Sequence, residues 1–459
     1  MSLALIPCLA TYLCECACCI GTQCFCNLIE TSLANAVRFA HALILFITIG
    51  LAALLGTTFV NNMKSMNGYT SIFGYGYELE KTCIDETTSV VSDECMFSQL
   101  IYRSTLSLFI LFVALAILST CFEYLNKSFW VVKLGSTIGL FVSFWWTSND
   151  VFDKWAEATK YISFLWLLAQ GIIFLDFSYD VHEVIIRRAE ESSSSWWYAV
   201  YLALCCGLLI GIGILISNMY HDYSGCGPTS TWFITITLIM GVVTTGISLL
   251  NSVNKGLLTP CIMFLYSTLM CWDALLSIPS SYCDENSNSI RAGDSTAMPV
   301  MLFITCTIVV YCVLNGSIIL NVFNPDAEEG IVASYTRAQF PTDSGTVQLN
   351  AISSPKASLI DRDSREGVDG DSGCWDAGGN TINMTPSGTR HERVFFMGLM
   401  ALTSCYIGMI LTNWGSIAAV EGNDQQNIGI SMWLKVVSQW VMICLHCRVL
   451  QVGYQSSET

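Results

Sequence analysis

Residues 196–217 read WWYAVYLALCCGLLIGIGILIS. The stretch carries no charged residue and opens on two tryptophans. About 20 such residues, at about 1.5 Å rise each, cross a hydrocarbon core of about 30 Å. Water is absent there, so every backbone N–H and C=O must pair within the segment, which makes it a helix. Working outward, runs of the same kind occupy 36–60, 99–121, 129–147, 159–179, 231–250, 257–278, 298–322, 393–418 and 430–452. Trp130, Trp145, Trp146, Trp232, Trp414 and Trp433 stand near their ends, as in an interfacial belt. The alternating pattern of a membrane barrel is absent. The fold class expected is an all-α polytopic membrane protein with ten transmembrane helices.

Composition agrees. Of 459 residues, 53% are hydrophobic and 12% charged, whereas a soluble chain is about a quarter charged. That argues against a water-soluble enzyme. The net charge of -16 argues against nucleic acid as a partner and leaves no polybasic patch for anionic lipid heads.

Ten crossings place both termini on one side. Arg38, Lys127, Lys133, Arg187, Arg188, Lys255, Arg390, Arg393 and Arg448 fall on that side, against Lys64, Lys81, Arg103, Lys154, Lys160 and Arg291 on the other. The excess of bases marks the terminal side as cytosolic. Cys83, Cys95, Cys226 and Cys283 then fall in outer loops, where an even number suits disulfides. Of three pairings, Cys83–Cys95 with Cys226–Cys283 is favoured.

Two parts lie outside the runs. Residues 1–33 form a cysteine-rich cytosolic N-terminus, in which Cys14, Cys16, Cys18 and Cys19 are candidates for S-acylation beside a first span. The alternatives are a metal site and plain packing as small apolar residues. Between the eighth and ninth spans, 324–392 is acidic and rich in Ser, Gly, Thr and Asp. It cannot bury enough apolar surface to offset its ordering entropy, so it is expected to be a largely disordered cytosolic loop. The spans therefore divide as 34–323 and 393–452, with a cytosolic tail at 453–459.

The fourth run has a polar continuation. From Glu157 to Glu191 there is no proline and a single glycine, Gly171. A continuous helix of that extent, about 50 Å, exceeds the hydrocarbon core and must tilt or project beyond it. Asp176, Asp180, Glu183 and Arg187 recur at four, three and four residues, which places them on one face.

A charge at mid-bilayer costs at least about 2.5–3.5 kcal/mol, so such residues face a cavity or a partner. Asp176, Asp180, Asp273 and Lys435 qualify. Asp176 alternatively sits at the inner interface, and Lys435 alternatively snorkels to the outer one. Asp273 and Lys435 both lie toward the outer side, which offers them as an ion pair. Ser267, Thr268, Thr412 and Asn413 add uncharged polar groups. These eight residues are the candidates for a polar, lipid-contacting groove, and the alternative for each is hydrogen-bonded helix packing. No phosphate loop, nucleophile elbow or H-E-x-x-H zinc pair occurs. No catalytic residue, metal or cofactor is expected.

Several stretches together resemble the serine incorporator family. They are Tyr102-Arg103 opening the second span, Leu175-Asp176-Phe177-Ser178-Tyr179, Ser195-Trp196-Trp197-Tyr198-Ala199, Leu265 to Leu275, Tyr406 to Trp414, and Trp433 to Trp440. The family usually has Ser where Asp273 stands, His where Tyr179 stands, and Asn-Pro where Asp284-Glu285 follows Cys283. The resemblance implies two four-helix subdomains linked by two crossing helices, the fourth long and tilted. It implies lipid binding, phospholipid movement between leaflets without ATP, and support of serine incorporation into phosphatidylserine and sphingolipids. A small-solute (serine) carrier or a scaffold for lipid-synthesising enzymes is the alternative. The partners implied are membrane phospholipids and sphingolipids, with lipid-synthesising enzymes and a second copy of the chain as further candidates.

Overall fold

The structure is a computed structural model. It describes residues 23–59, 93–121, 129–192, 195–249, 256–278, 297–322, 374–375, 381–382, 390–414 and 424–458. The helices are α1 (Gln23–Leu54, extended by a π turn Leu55–Phe59), α2 (Asp93–Cys121), α3 (Trp130–Ser143, extended by a 3-10 turn Phe144–Trp146), α4 (Asn149–Ser192) and α5 (Ser195–Tyr223). They continue with α6 (Pro228–Ser248), α7 (Leu258–Leu276), α8 (Ala297–Val322), α9 (Arg390–Leu411) and α10 (Asp424–Glu458). Strands β1 (Cys374–Trp375) and β2 (Thr381–Ile382) make a short antiparallel pair, Cys374 opposite Ile382. Apart from that pair and the start of α9, the expected disordered loop lies outside the described residues. So does most of the cysteine-rich N-terminus, including Cys14, Cys16, Cys18 and Cys19. The chain divides into two compact units, one of residues 1–34 and 334–387, the other holding the rest. The helix packing described below is that of the second.

Among the described residues, nine helices are long and apolar enough to cross a membrane, and α3 with its 3-10 turn is a shorter apolar helix. α7 and α9 are the most enclosed and α5 the least. An apolar helix surface needs no burial when its solvent is lipid, so α5 can expose Leu202, Ile210 and Ile214. One large buried cluster draws on α1, α2, α4, α7, α8, α9 and α10, with Leu45, Phe112, Trp166, Tyr266, Val309, Met400 and Met442 among its members. A second draws on α5, α6, α7 and α10 through Ile212, Phe233, Cys271 and Val436.

Three local features explain where helices begin, end and break. First, α4 is 44 residues, about 66 Å long, and starts well before Glu157. The polar stretch Thr147-Ser148-Asn149-Asp150 reads as a loop, but it is a helix start: Ser148 Oγ accepts from the Asp150 N–H at 3.3 Å, and Asp150 stands in the first turn, where a negative charge is favoured. Second, α8 is interrupted at Asn315, whose φ of -115° and ψ of 25° leave the helical region. Gly316-Ser317 follows directly, the kind of pair at which helices kink. Third, Gly227 has φ of +89° immediately before Pro228 opens α6, and Ser230 Oγ lies 2.8 Å from both the Tyr223 and the Gly227 carbonyl, either of which can take its one proton. Only glycine holds such a φ without cost.

α9 lies unusually close to α2. A Cβ placed on Gly408 would come 2.5 Å from the Thr105 Cγ2 methyl. Thr105 cannot simply rotate away, because its Oγ1 donates to the Tyr102 carbonyl at 2.9 Å and accepts from Trp155 Nε1 at 3.2 Å. We expect Gly408→Ala to lower stability by about 1–3 kcal/mol. Adding Thr105→Ser, which deletes the methyl and keeps the hydroxyl, should restore most of it. Thermal unfolding in detergent checks this, and an unchanged midpoint for Gly408→Ala alone would mean the helices can part without penalty.

Candidate functional site

Two sets of charged residues inside the helices are engaged with neighbouring helices. Lys435, near the start of α10, is only 1% exposed. Its Nζ lies 3.0 Å from Asp273 Oδ2 and donates to the Asp273 carbonyl at 3.1 Å and to Ser277 Oγ at 3.0 Å. It also stands 5.0 Å from the centre of the Trp414 ring. Lys435 therefore turns inward instead of snorkelling. Asp273 and Ser277 belong to the end of α7, where the last carbonyls lack helical partners, so a cation is well placed there.

A second constellation links α4 and α8. The Tyr311 hydroxyl is 2.7 Å from Asp176 Oδ2 and 2.6 Å from Asp180 Oδ2. Asp176 is buried and Asp180 half-buried, while Glu183 and Arg187, further along the same face, are exposed. Asp176 thus faces a partner helix, not an open interface. Phe177 packs edge-on against Tyr311 at 5.4 Å between ring centres, and Phe174 lies 4.7 Å from Tyr266 of α7. A phenol has one proton to give. It serves one carboxylate at a time, and the second contact is attractive only when a carboxyl proton is shared across it. Tyr311→Phe removes that common donor and leaves two acidic groups one turn apart. A loss of about 1–3 kcal/mol is expected, with partial recovery on adding Asp180→Asn. Identical unfolding midpoints for Tyr311→Phe and the unaltered protein would show that the hydroxyl holds nothing together.

The uncharged candidates divide. Thr268 Oγ1 donates to the Phe264 carbonyl of its own helix at 2.8 Å, so it is internal packing. Ser267 is buried, and its carbonyl accepts from Gln439 Nε2 at 3.0 Å. The same Gln439 nitrogen donates to Thr237 Oγ1 at 2.7 Å, tying α10 to α6 and α7. Ser267 also lines a small cavity with Thr244, Met442 and His446, with room for about one water. Thr412 and Asn413 are not within a span: α9 ends at Leu411, and Asn413 and Trp414 take φ of 48° and 57°. The Trp414 N–H reaches back to the Met409 carbonyl at 2.9 Å, closing the helix end. Thr412 Oγ1 lies 3.0 Å from the Tyr102 hydroxyl, while Asn413 is exposed.

Cys95 and Cys226 are each disulfide-bonded; Cys83 and Cys283 lie outside the described residues. Among the described residues, no group of three or more His, Cys, Asp or Glu side chains could hold a metal ion. Sequence reasoning did not single out Tyr311, Ser277 or Gln439. Each is an ordinary polar residue in an apolar run, and only the pairing of distant helices gives it a role.

Long apolar helices, with their charges paired inward, define a multi-pass all-helical membrane protein. The family model described as serine incorporator matches residues 8–452, nearly the whole chain, and the chain belongs to that family. It is similar to serine incorporator 3 of Bos taurus, 22% identical over 473 residues that cover 97% of this chain and 95% of that protein. A probable serine incorporator of Nematostella vectensis is 24% identical over 341 residues, 69% of each chain. Serine incorporator 2 of Mus musculus is 21% identical over 71% of this chain and 69% of its own. These proteins are named for incorporation rather than for a catalysed reaction.

Proposed function

We propose that the protein acts in membrane lipid homeostasis by binding phospholipids and moving them between leaflets without ATP, in support of serine incorporation into phosphatidylserine and sphingolipids. The observation that carries this reading is that separate apolar helices bring charged and polar side chains together. Asp176 and Asp180 of α4 meet Tyr311 of α8, and Lys435 of α10 meets Asp273 and Ser277 of α7. A head group sliding along such a seam keeps its acyl chains in lipid and needs no nucleotide, in keeping with the missing phosphate loop. In this reading α4 is a crossing helix between two subdomains, and its packing against α2, α5, α7, α8, α9 and α10 supports that. Counting α3 as a crossing gives ten, with both termini cytosolic in an endomembrane or the plasma membrane.

The relatives' names favour a second reading, a serine carrier or a scaffold for lipid-synthesising enzymes. The break in α8 at Asn315 adds to it, since carriers place broken helices at their midplane sites. One experiment separates the two. Purified protein in liposomes is assayed with a fluorescent phospholipid and a leaflet-selective quencher, alongside radiolabelled serine uptake. Lipid movement predicts loss of the protected fluorescence without serine uptake. Serine uptake with the inner leaflet still protected overturns it in favour of the carrier, and neither activity favours the scaffold.

A further inference from the structure

α10 presents one exposed face along its membrane-crossing part. Trp433, Val437, Val441, Cys444, Arg448 and Gln451 recur at four, four, three, four and three residues and so share that face. All six are exposed. Cys447, three residues after Cys444, is half-buried, and the two thiols act on each other. Two residues mark levels on the face. Trp433 stands near one end, where an interfacial tryptophan belongs. Arg448 stands near the other, and an exposed guanidinium on an apolar helix belongs at the head-group level; its Nη1 donates to Gln451 Oε1 at 3.4 Å. Cys447 is therefore at that level, and Cys444 is four residues, about 6 Å, inside it.

Cysteine is among the residue types most often buried. Among the described free cysteines only Cys206 and Cys444 are exposed. A thiol at the edge of the hydrocarbon can meet an acyl donor from the water side while the acyl chain enters lipid. We propose that the Cys444–Cys447 pair is an S-acylation site that takes a long-chain acyl group from an acyl-coenzyme A. The cysteine sulfur attacks the thioester carbonyl carbon, a new S–C bond forms as the bond to the coenzyme A sulfur breaks, and the thiol proton ends on the released coenzyme A. The chain then runs back along Val441 and Val437 toward Trp433, an apolar track on the same face. Cys206 is the internal contrast. It is also exposed, but it lies nine residues, about 14 Å, beyond Trp197 at the start of α5, too deep to meet a water-borne donor. The inference is separate from lipid movement and rests only on α10 ending on the cytosolic side.

Acyl-exchange mass spectrometry on the full chain from eukaryotic cells tests it. Free thiols are blocked, hydroxylamine cleaves thioesters, and the thiols released are labelled. Trypsin cuts after Lys435 and Arg448, so Cys444 and Cys447 leave on one peptide. That peptide should carry at least about fivefold more label with hydroxylamine than without it, while Cys206 stays at background. Cys444→Ser and Cys447→Ser, made singly, tell which sulfur holds the chain, and label on either supports the site. A carboxyl-terminal tag on the same chain reports separately whether α10 ends in the cytosol. No hydroxylamine-dependent label with a cytosolic tag overturns the site alone, and no label with an outer tag overturns the site and the topology together. Labelling of Cys206 to the same extent as the α10 peptide also overturns it.

Discussion

Lys435→Leu is expected to destabilise the detergent-solubilised protein by on the order of 3–5 kcal/mol, the range for breaking a buried pair by removing one partner. The loss has an identifiable source. Lys435 Nζ is the counter-charge of Asp273 Oδ2 and also bonds the Asp273 carbonyl and Ser277 Oγ. Without it, the carboxylate loses its counter-charge and the helix-end carbonyl keeps only the Ser277 hydroxyl, at 3.3 Å, as a donor. Asp273→Leu should be costly for the converse reason, since it strands an ammonium that is 1% exposed. Exchanging the two charges, Lys435→Asp with Asp273→Lys, should be far less harmful than the sum of the single reversals. Residues in contact couple, and independent ones add. Strict additivity would remove the ion pair from the account.

Arg103→Lys is expected to fail as a conservative change. Arg103 is fully buried in α2. Its Nε donates to the Phe144 carbonyl at 3.0 Å, Nη2 to the Thr147 carbonyl at 3.4 Å and to Asn149 Oδ1, and Nη1 to the carbonyl and side-chain oxygen of Gln99. The guanidinium plane also sits 4.2 Å from the centre of the Phe152 ring. One side chain therefore completes the open carbonyls at the end of α3 and fixes the first residue of α4. An ammonium is a compact point charge and cannot reproduce that fork. Each acceptor left unserved costs about 1–3 kcal/mol, so lysine should recover less than half of what Arg103→Leu loses. Unfolding midpoints and the fraction of protein that stays monodisperse on heating give the comparison. Equal stability for Arg103→Lys and the parent would contradict this role.

The membrane class was legible in the sequence because an apolar run of about 20 residues has few other solutions. The charges at Asp176, Asp180, Asp273 and Lys435 were legible for the same reason: in such runs a charge is conspicuous. The joint between α3 and α4 was not. Its four polar residues have loop composition, and the interaction that makes them a tight corner comes from Arg103, far away in the chain. Tyr311 was equally hidden, since its role exists only once α8 lies beside α4, 131 residues away from Asp180. Thr412 and Asn413 misled differently. They continue an apolar run, but their positive-φ neighbourhood is a helix end, which hydropathy does not register.

α3 decides the topology. It is shorter than the other apolar helices, yet Lys133, Thr137 and Phe141 give it a buried stripe at every fourth residue, while Val131 and Val132 face outward. With it the chain crosses ten times and its ends share a side; without it the ends are opposed. Labelling single tags at the amino terminus, near Trp375 and at the carboxyl terminus, in intact and then permeabilised cells, measures this parity directly. The account predicts that all three tags stay protected until the membrane is opened. A carboxyl-terminal tag or a Trp375 tag that labels from the side opposite the amino terminus would contradict it.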